Sequence, residues 1–501
     1  MQRARRDFIK SALAGSAYMT AGAGVTACAS LDQWLMGETR EETDKVLIVG
    51  AGLAGLSAAY YLKKNKVPFQ IFEGSQRIGG RIMTLQNFNG AAQHAELGGE
   101  QIEADQMAIQ NLAKELKVKL QEFGSKGSFE WFDKNHFFVT EKKKELQLLL
   151  KIFQSVQQEA YGSSIQTLNL QNKDQFPKAV LLDQMSVAEL LDRLQPQMKE
   201  WMRPFLEQLT RSEWGVEPKQ ISSLQLIHWM RDPTRLRNRK YLKISGGNSV
   251  LVQALFDRVG GIIPEKFIRF GHQLSEIKST ETGWALTFRS PKGKMEFKAR
   301  RILCTLPPPL LREVSGWEQM VSTPEALRHL KDFSLGTHGK LLASFNDRFW
   351  KDDSVLASGG TWYTALASTQ FSEASEPSLQ IDASKGILQS QLGGSLGENC
   401  GLHSIDQMLK DLSKMDAEAA AAFEGQSQVQ NWKRHTWSKG SRVYFKPGQF
   451  QLFDLNASGL NQLKNGNGWL LAGDAYDSNG IGSMNGAVQC AIDAVSAFLK
   501  G

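Results

Sequence analysis

The stretch from Lys45 to Arg81, KVLIVGAGLAGLSAAYYLKKNKVPFQIFEGSQRIGGR, leaves this chain little freedom in how it can fold. Val46-Leu47-Ile48-Val49 has the length and β-branched content of a buried parallel strand. It runs directly into Gly50-Ala51-Gly52-Leu53-Ala54-Gly55, and a helical pattern follows through Leu62. Val67-Pro68-Phe69-Gln70-Ile71-Phe72 reads as a second strand, closed by Glu73. Strand, glycine turn, helix and strand in this register make a βαβ unit with the dinucleotide fingerprint. Gly50 permits the tight turn, Gly52 lets the backbone approach a pyrophosphate, and Gly55 lets helix and strand pack closely. The helix that Leu53 and Ala54 open presents free N–H groups and a positive dipole end to the phosphates. Glu73 stands where such units carry the carboxylate that holds a ribose hydroxyl.

A chain of 501 residues is too long for one ordinary domain. With 41% hydrophobic and 22% charged residues it is globular. The net charge is +7, of which Arg3, Arg5, Arg6 and Lys10 against Asp7 account for +3 within the first 27 residues. No Lys/Arg block of the kind that tracks phosphates is present, which argues against nucleic-acid binding. Beyond Cys28 the cysteines are Cys304, Cys400 and Cys490, spaced neither as a metal site nor as a disulfide framework. The eight histidines, His272 among them, show no metal-ligand pairing, so no metal is expected.

The first 27 residues read as a signal peptide: a basic MQRARRDFIK, then an Ala/Gly-rich apolar stretch from Ser11 to Ala27. Arg5-Arg6-Asp7-Phe8-Ile9-Lys10 resembles a twin-arginine export signal, with Ala4 where Ser or Thr is usual. Val25-Thr26-Ala27-Cys28 resembles a bacterial lipoprotein cleavage box, with Cys28 as the lipidated residue. The expectation is an exported bacterial protein, periplasmic or tied to the membrane through Cys28, with residues 28–44 as a polar tether. The apolar stretch is short and rich in Gly, Ser and Thr, which argues against a transmembrane anchor.

Glu73-x-x-x-Arg77-x-Gly79-Gly80-Arg81 resembles the signature of the flavin-containing amine oxidases, which include monoamine, polyamine and L-amino-acid oxidases. Glu96-Leu97-Gly98-Gly99-Glu100-Gln101 is similar to that family's next element, an acid and a glycine pair at the flavin. The resemblance implies non-covalent FAD held by Gly50, Gly52, Leu53, Ala54, Gly55, Glu73, Gly74, Arg77, Gly80, Arg81, Gly98, Gly99, Glu100 and the backbone of Leu274. Gly468-Trp469-Leu470-Leu471-Ala472-Gly473-Asp474 resembles the second flavin strand, whose acid bonds the ribityl chain. Ser483 and Met484 open a last helix whose N-terminus points at the flavin in that family. Leu335-Gly336-Thr337-His338-Gly339-Lys340 resembles the strand that carries one lysine facing flavin N5, which makes Lys340 the candidate catalytic residue. A lysine in a half-apolar strand would otherwise read as a solvated edge residue.

The resemblance covers nearly everything from Lys45 onward and implies an α/β protein: a Rossmann-like FAD-binding domain with an interleaved α+β substrate-binding domain. Residues 45–122, 240–318 and 432–501 would form the first, and 123–239 and 319–431 the second. Long helical patterns fill 123–239, with little strand signal. The implied reaction takes a hydride from the carbon next to the nitrogen of an amine or L-amino acid. The imine hydrolyses to an aldehyde or keto acid plus ammonia, and O2 becomes H2O2. Twin-arginine export suits such a chain, because that pathway carries folded, cofactor-loaded proteins.

Three positions depart from the monoamine oxidase pattern. Ser441 stands where those enzymes tether flavin to a cysteine, and Arg442 and Ser483 replace the two tyrosines of their aromatic cage. Arg442 either pairs with a substrate carboxylate or is a solvated or structural arginine, and Gln101 stands where snake-type L-amino-acid oxidases carry their own carboxylate-binding arginine. Arg442, Ser483, Gln101 and Trp437 are the candidate substrate residues. A flavin desaturase or dehydrogenase acting on C–C bonds, and a membrane-tethered flavin protein without turnover, stand as alternatives. The first shares the glycine motif but has no need of Lys340.

Overall fold

The structure is a computed structural model. It describes residues 39–41, 44–88, 93–124, 129–132, 137–164, 166–169, 171–236, 240–261, 264–321, 323–350, 356, 361–364, 373–375, 385–452, 462–464, 467–477 and 480–500. The export signal, the lipoprotein box and Cys28 lie outside the described residues. Among the described residues no helix is long and apolar enough to cross a membrane.

A six-stranded sheet organises the glycine loops. Its order is Ile268–Arg269, Phe69–Phe72, Val46–Val49, Arg301–Cys304, Asn467–Leu471 and Gln462–Lys464, parallel except for the last pairing. Val46–Val49 lies near the middle and every residue in it is buried, which is why its sequence is apolar throughout rather than alternating. The helix Leu53–Lys64 packs against the helices Met484–Lys500 and Ser249–Val259. Three remote segments of sequence therefore meet around the first glycine loop. An antiparallel meander, Gln273–Thr280, Gly283–Ser290 and Gly293–Ala299, packs its Phe288 and Phe297 onto Phe72, the former stacked at 4.2 Å between ring centroids. Offset aromatic stacking of this kind adds to simple burial. Thr39–Glu41, expected to belong to a polar tether, instead pairs in parallel with Glu296–Lys298 at the meander's edge. The sequence Thr-Arg-Glu carries no apolar period that could announce a strand.

A seven-stranded sheet forms the second layer. Its order is Phe423–Asn431, Gly339–Phe345, Gly386–Leu392, Glu373–Ser375, Thr361–Thr364, Phe129–Phe132 and Phe137–Phe138. The last two come from the stretch read as helical, so that segment contributes to the sheet as well as to the helices Lys143–Tyr161, Val187–Leu194 and Met202–Trp214. Ser186 closes a capping box with Glu189 at the start of the second of these helices, worth about 1 kcal/mol. Gly339–Phe345 is antiparallel to strands on both sides and entirely buried. Its side chains alternate: Leu341, Ala343 and Phe345 join an apolar cluster with Leu388 and Leu412, while Leu342 joins Leu97 and Ile387 on the opposite face. Period-two geometry puts Lys340 on the Leu342 face, toward the Leu97–Gly98 segment.

Candidate active site

A cavity of about 520 Å³ runs between these layers. It is lined by every candidate site residue of the described chain except Gly55: the first glycine loop, Glu73 to Arg81, Gly98 to Gln101, Leu274, Lys340, Trp437, Arg442, Gly473, Asp474, Ser483 and Met484. Gly55 lies behind the loop. A β-carbon on it would come within 2.0 Å of the Gly50 carbonyl oxygen, so its role is helix–strand packing. Glu96 does not line the cavity. It accepts hydrogen bonds from the Asn248 N–H (2.6 Å) and the Thr84 hydroxyl (3.0 Å), and burial pushes its pKa up to about 7.

At the glycine-loop end, the Glu73 carboxylate accepts the backbone N–H groups of Ala51 (2.7 Å) and Ser75 (2.8 Å). This fixes the second strand's carboxylate against the loop. Arg77 turns back on its own segment and donates to the carbonyls of Ile78 (3.1 Å), Ile82 (3.2 Å) and Gly80. Its guanidinium thus braces the turn at Gly79 and Gly80, both at positive φ. Arg81 reaches across the cavity to Asp474, with one contact at 3.0 Å and a second beside it, and to the Ser441 carbonyl. The Trp437 ring fills the space over Gly74, next to Glu73.

At the other end Lys340 is 4% exposed. Its ammonium stands 2.9 Å from Glu100 Oε2 and 3.5 Å from the Gly98 carbonyl. The Lys243 ammonium stands 2.9 Å from the other Glu100 oxygen, and Gln389 donates to Oε2 at 2.8 Å. Burial alone would raise the Glu100 pKa, but Lys243 and Lys340 together hold the carboxylate well below the usual range. His338 is buried two residues before Lys340. Its Nε2 donates to the Ser212 carbonyl (2.8 Å) and its Nδ1 accepts from the Ser441 hydroxyl (2.6 Å). Burial pushes its pKa down to about 4, so the ring is neutral.

Arg442 does not point a free charge into the cavity. It donates to the Glu213 carboxylate at 2.9 Å and to the Glu213 carbonyl at 3.2 Å, at the C-terminal end of Met202–Trp214. A cation bonded to the last carbonyls of a helix is favourable in its own right. Ser483 caps the helix Met484–Lys500, its hydroxyl accepting the Gly486 N–H at 3.0 Å. Glu213, His338, Lys243, Gln389 and Gln391 were not singled out from sequence. Gln389 and Gln391 follow from register, because Gln391 pairs with Lys340 and Gln389 with Leu342.

These residues fit FAD. The position where a β-carbon on Gly52 would sit has only the Gly80 α-carbon nearby, at 3.9 Å, so backbone there is open to a ligand. The helix behind it has no side-chain cap and no acid in its first turn, which leaves its N-terminus to an anion. No cysteine lines the cavity among the described residues, consistent with a flavin that is not tethered to a thiol. Among the described residues no group of His, Cys, Asp or Glu could hold a metal ion.

A Rossmann-like sheet with glycine cradles at both ends of one cavity, and a buried lysine where they meet a second sheet, defines an FAD-dependent oxidoreductase. The model of the flavin containing amine oxidoreductases matches residues 53–499, and the chain belongs to that family. It is 24% identical to the flavin-dependent L-tryptophan oxidase of Lentzea aerocolonigenes, over 80% of this chain and 86% of that one. It is 23% identical to an L-amino-acid oxidase of Crotalus adamanteus, over 82% and 79%. Among solved structures, putrescine oxidase bound to putrescine superposes with a TM-score of 0.73 at 18% identity, covering 93% of this chain and all of that one. Cyclohexylamine oxidase from Brevibacterium oxydans gives 0.70 at 19%, covering 91% and 99%.

Proposed function

We propose that this chain is an oxidase that breaks the C–H bond beside the nitrogen of a small polar amine or amino acid, with O2 as acceptor and H2O2 as product. The observation that carries the reading is Lys340, buried on a strand paired on both sides yet lining the cavity that the two glycine loops open onto. Burying an ammonium is costly unless a function or a partner retains it.

Bound FAD supplies the two-electron acceptor for the C–N oxidation. The protein's part is to hold and orient. The loop Gly50–Gly55 and its helix end would take the pyrophosphate, Glu73 a ribose hydroxyl, and Arg81 with Asp474 the chain between nucleotide and ring. Lys340 would place a fixed positive charge where negative charge develops on oxygen. Ser212, Thr361, Ser375, Gln389 and Gln391 line the same cavity, which suits a hydrophilic substrate. The Glu213 carboxylate already neutralises Arg442. An amine without a carboxylate meets a charge-balanced wall there, whereas an α-carboxylate must displace Glu213. The pair therefore favours polar amines over α-amino acids.

The N-terminal segment supports a place of action outside the cytoplasm, through the twin-arginine pattern and a lipid on Cys28. Labelling with a fatty-acid probe that is lost in Cys28→Ala tests this. The catalytic reading is tested by mixing the purified holoenzyme anaerobically with a panel of amines and amino acids, and by measuring peroxide release in air. Bleaching of the flavin by polar amines is expected. Lys340→Met should keep its bound flavin and lower turnover by about 100-fold or more, the scale of losing one preorganised charge. Full turnover in Lys340→Met would favour C–C dehydrogenation instead.

A further inference from the structure

Lys340, the buried strand lysine of the cavity, is held by a carboxylate that stands between two ammonium groups. Glu100 bonds Lys340 through Oε2 and Lys243 through Oε1, each at 2.9 Å. Among the described residues, the partners of its carboxylate come from three different elements: Lys340 from Gly339–Phe345, Lys243 from Lys240–Ile244 and Gln389 from Gly386–Leu392. We propose that Glu100 is the positioning residue of this site, fixing the Lys340 ammonium in the cavity and keeping it charged, while Lys243 and Gln389 keep Glu100 ionised and aimed. The inference rests on the reading of Lys340 given above and adds what sets its charge.

The physical argument is one of counterions. A buried ammonium loses its proton readily when it has no anion beside it, and more readily still when a second ammonium is close. With Glu100 present, one negative and two positive charges share the pocket floor. Replacing Glu100 by Gln leaves two positive charges facing a neutral amide, and the more buried of the two is Lys340, at 5% side-chain exposure against 17% for Lys243. The other titratable groups around Lys340 do not take Glu100's place. Glu96, on His94–Glu96, ionises only near pH 7 because burial raises it, and its oxygens are taken by Asn248 and Thr84 rather than by Lys340. His338 is held neutral by burial, and burial likewise lowers His94 toward its neutral form. Glu213 is engaged with Arg442. Glu100 is thus the ionised carboxylate in contact with Lys340 Nζ.

The test compares wild-type holoenzyme with Glu100→Gln, Glu100→Asp and Lys340→Met between about pH 6 and pH 10, where a displaced ammonium would titrate. Two quantities are read: the rate at which O2 reoxidises substrate-reduced enzyme, and the visible spectrum of the resting flavin, which needs no turnover. In wild type both should be flat above about pH 8, beyond the Glu96 ionisation near 7. In Glu100→Gln both should show one ionisation, with the reoxidation rate falling about tenfold or more on the alkaline side, as expected when one preorganised charge is lost. Glu100→Asp should restore the flat profile in part, and Glu100→Gln/Lys340→Met should abolish the ionisation. Flat profiles in Glu100→Gln, with Lys340→Met impaired, overturn the role of Glu100 and leave that of Lys340 standing. An unimpaired Lys340→Met overturns both. If Glu100→Gln does not fold, Glu100→Gln/Lys243→Gln removes the second ammonium as well. The proposal still demands an alkaline limb there, and a flat profile overturns it.

Discussion

The Arg442 guanidinium lies 2.9 Å from the Glu213 carboxylate, and the two are 229 residues apart in sequence. Arg442 is carried by the strand Val443–Tyr444 and its approach, which pairs with Ser334–Leu335. Glu213 ends a helix from another part of the chain. If Glu213 is what keeps carboxylates away from Arg442, then Glu213→Gln frees a cation in the cavity. Simple carboxylates such as benzoate should then inhibit about tenfold more tightly, a gain of about 1.4 kcal/mol. Arg442→Met should show no such gain. Inhibition constants measured by peroxide release for the two variants check this, and equal constants in wild type and Glu213→Gln would remove the argument for amines.

Arg81 and Asp474 make a two-point pair across 393 residues of sequence, with side chains 24% and 14% exposed. It ties the first glycine segment to the last flavin strand. Taking away one partner of a largely buried pair leaves the other uncompensated, at about 3 kcal/mol. Asp474→Ala should therefore denature at lower urea than wild type and emerge from purification with little bound FAD. Asp474→Asn, which keeps the shape but not the charge, should fall between. Flavin content from absorbance, beside the urea midpoint, separates the two effects.

The parts legible in the sequence are those that local pattern dictates. Gly50 sits at positive φ in the turn, Gly55 leaves no room for a β-carbon, and Val46–Val49 is apolar because both its faces are covered. Lys340 was legible through the register of its neighbours, although its own strand pattern suggested an exposed edge. What local pattern cannot carry is partnership. Glu100 meets Lys340 and Lys243 across 240 and 143 residues. No periodicity encodes which acid a lysine will find. The strands Thr39–Glu41 and Phe129–Phe132 were missed for a related reason, since short segments take their conformation from the strands they pair with.

Two glycines of the site should respond oppositely to alanine. Gly52 has φ −72°, which alanine tolerates, and its β-position faces open cavity with the Gly80 α-carbon 3.9 Å away. Gly52→Ala should fold with a near-normal apoprotein midpoint and lose FAD affinity, since the added methyl occupies space that a pyrophosphate needs. A β-carbon on Gly98 would meet the Arg81 carbonyl oxygen at 1.9 Å, and backbone cannot yield that far. Gly98→Ala should destabilise the apoprotein itself, by about 1–3 kcal/mol from overpacking. Urea melts of the flavin-free proteins decide it, because a ligand-only role for Gly98 would leave its apoprotein unchanged.

Glu96 sets a pH dependence of stability. Burial raises its pKa to about 7 from an ordinary value near 4.5, so between these values the folded protein binds a proton that the unfolded chain has released. Stability from this group is therefore complete at low pH and falls as pH rises from about 4.5 to 7, by up to about 3 kcal/mol. The hydrogen bonds agree with a protonated carboxyl, with Oε1 accepting from Asn248 and Thr84 lying 3.0 Å from both oxygens, one of which can donate to it. His338 acts in the opposite sense and at lower pH. Its pKa is depressed to about 4 by burial, so its contribution is lost as pH falls from about 6.5 toward 4. Glu96→Gln keeps an acceptor for Asn248 and a donor for Thr84 but cannot ionise. Its urea midpoint relative to wild type should rise steadily between about pH 5 and pH 7 and level off above. A pH-independent difference between the two proteins would mean that Glu96 is ionised in the fold at neutral pH.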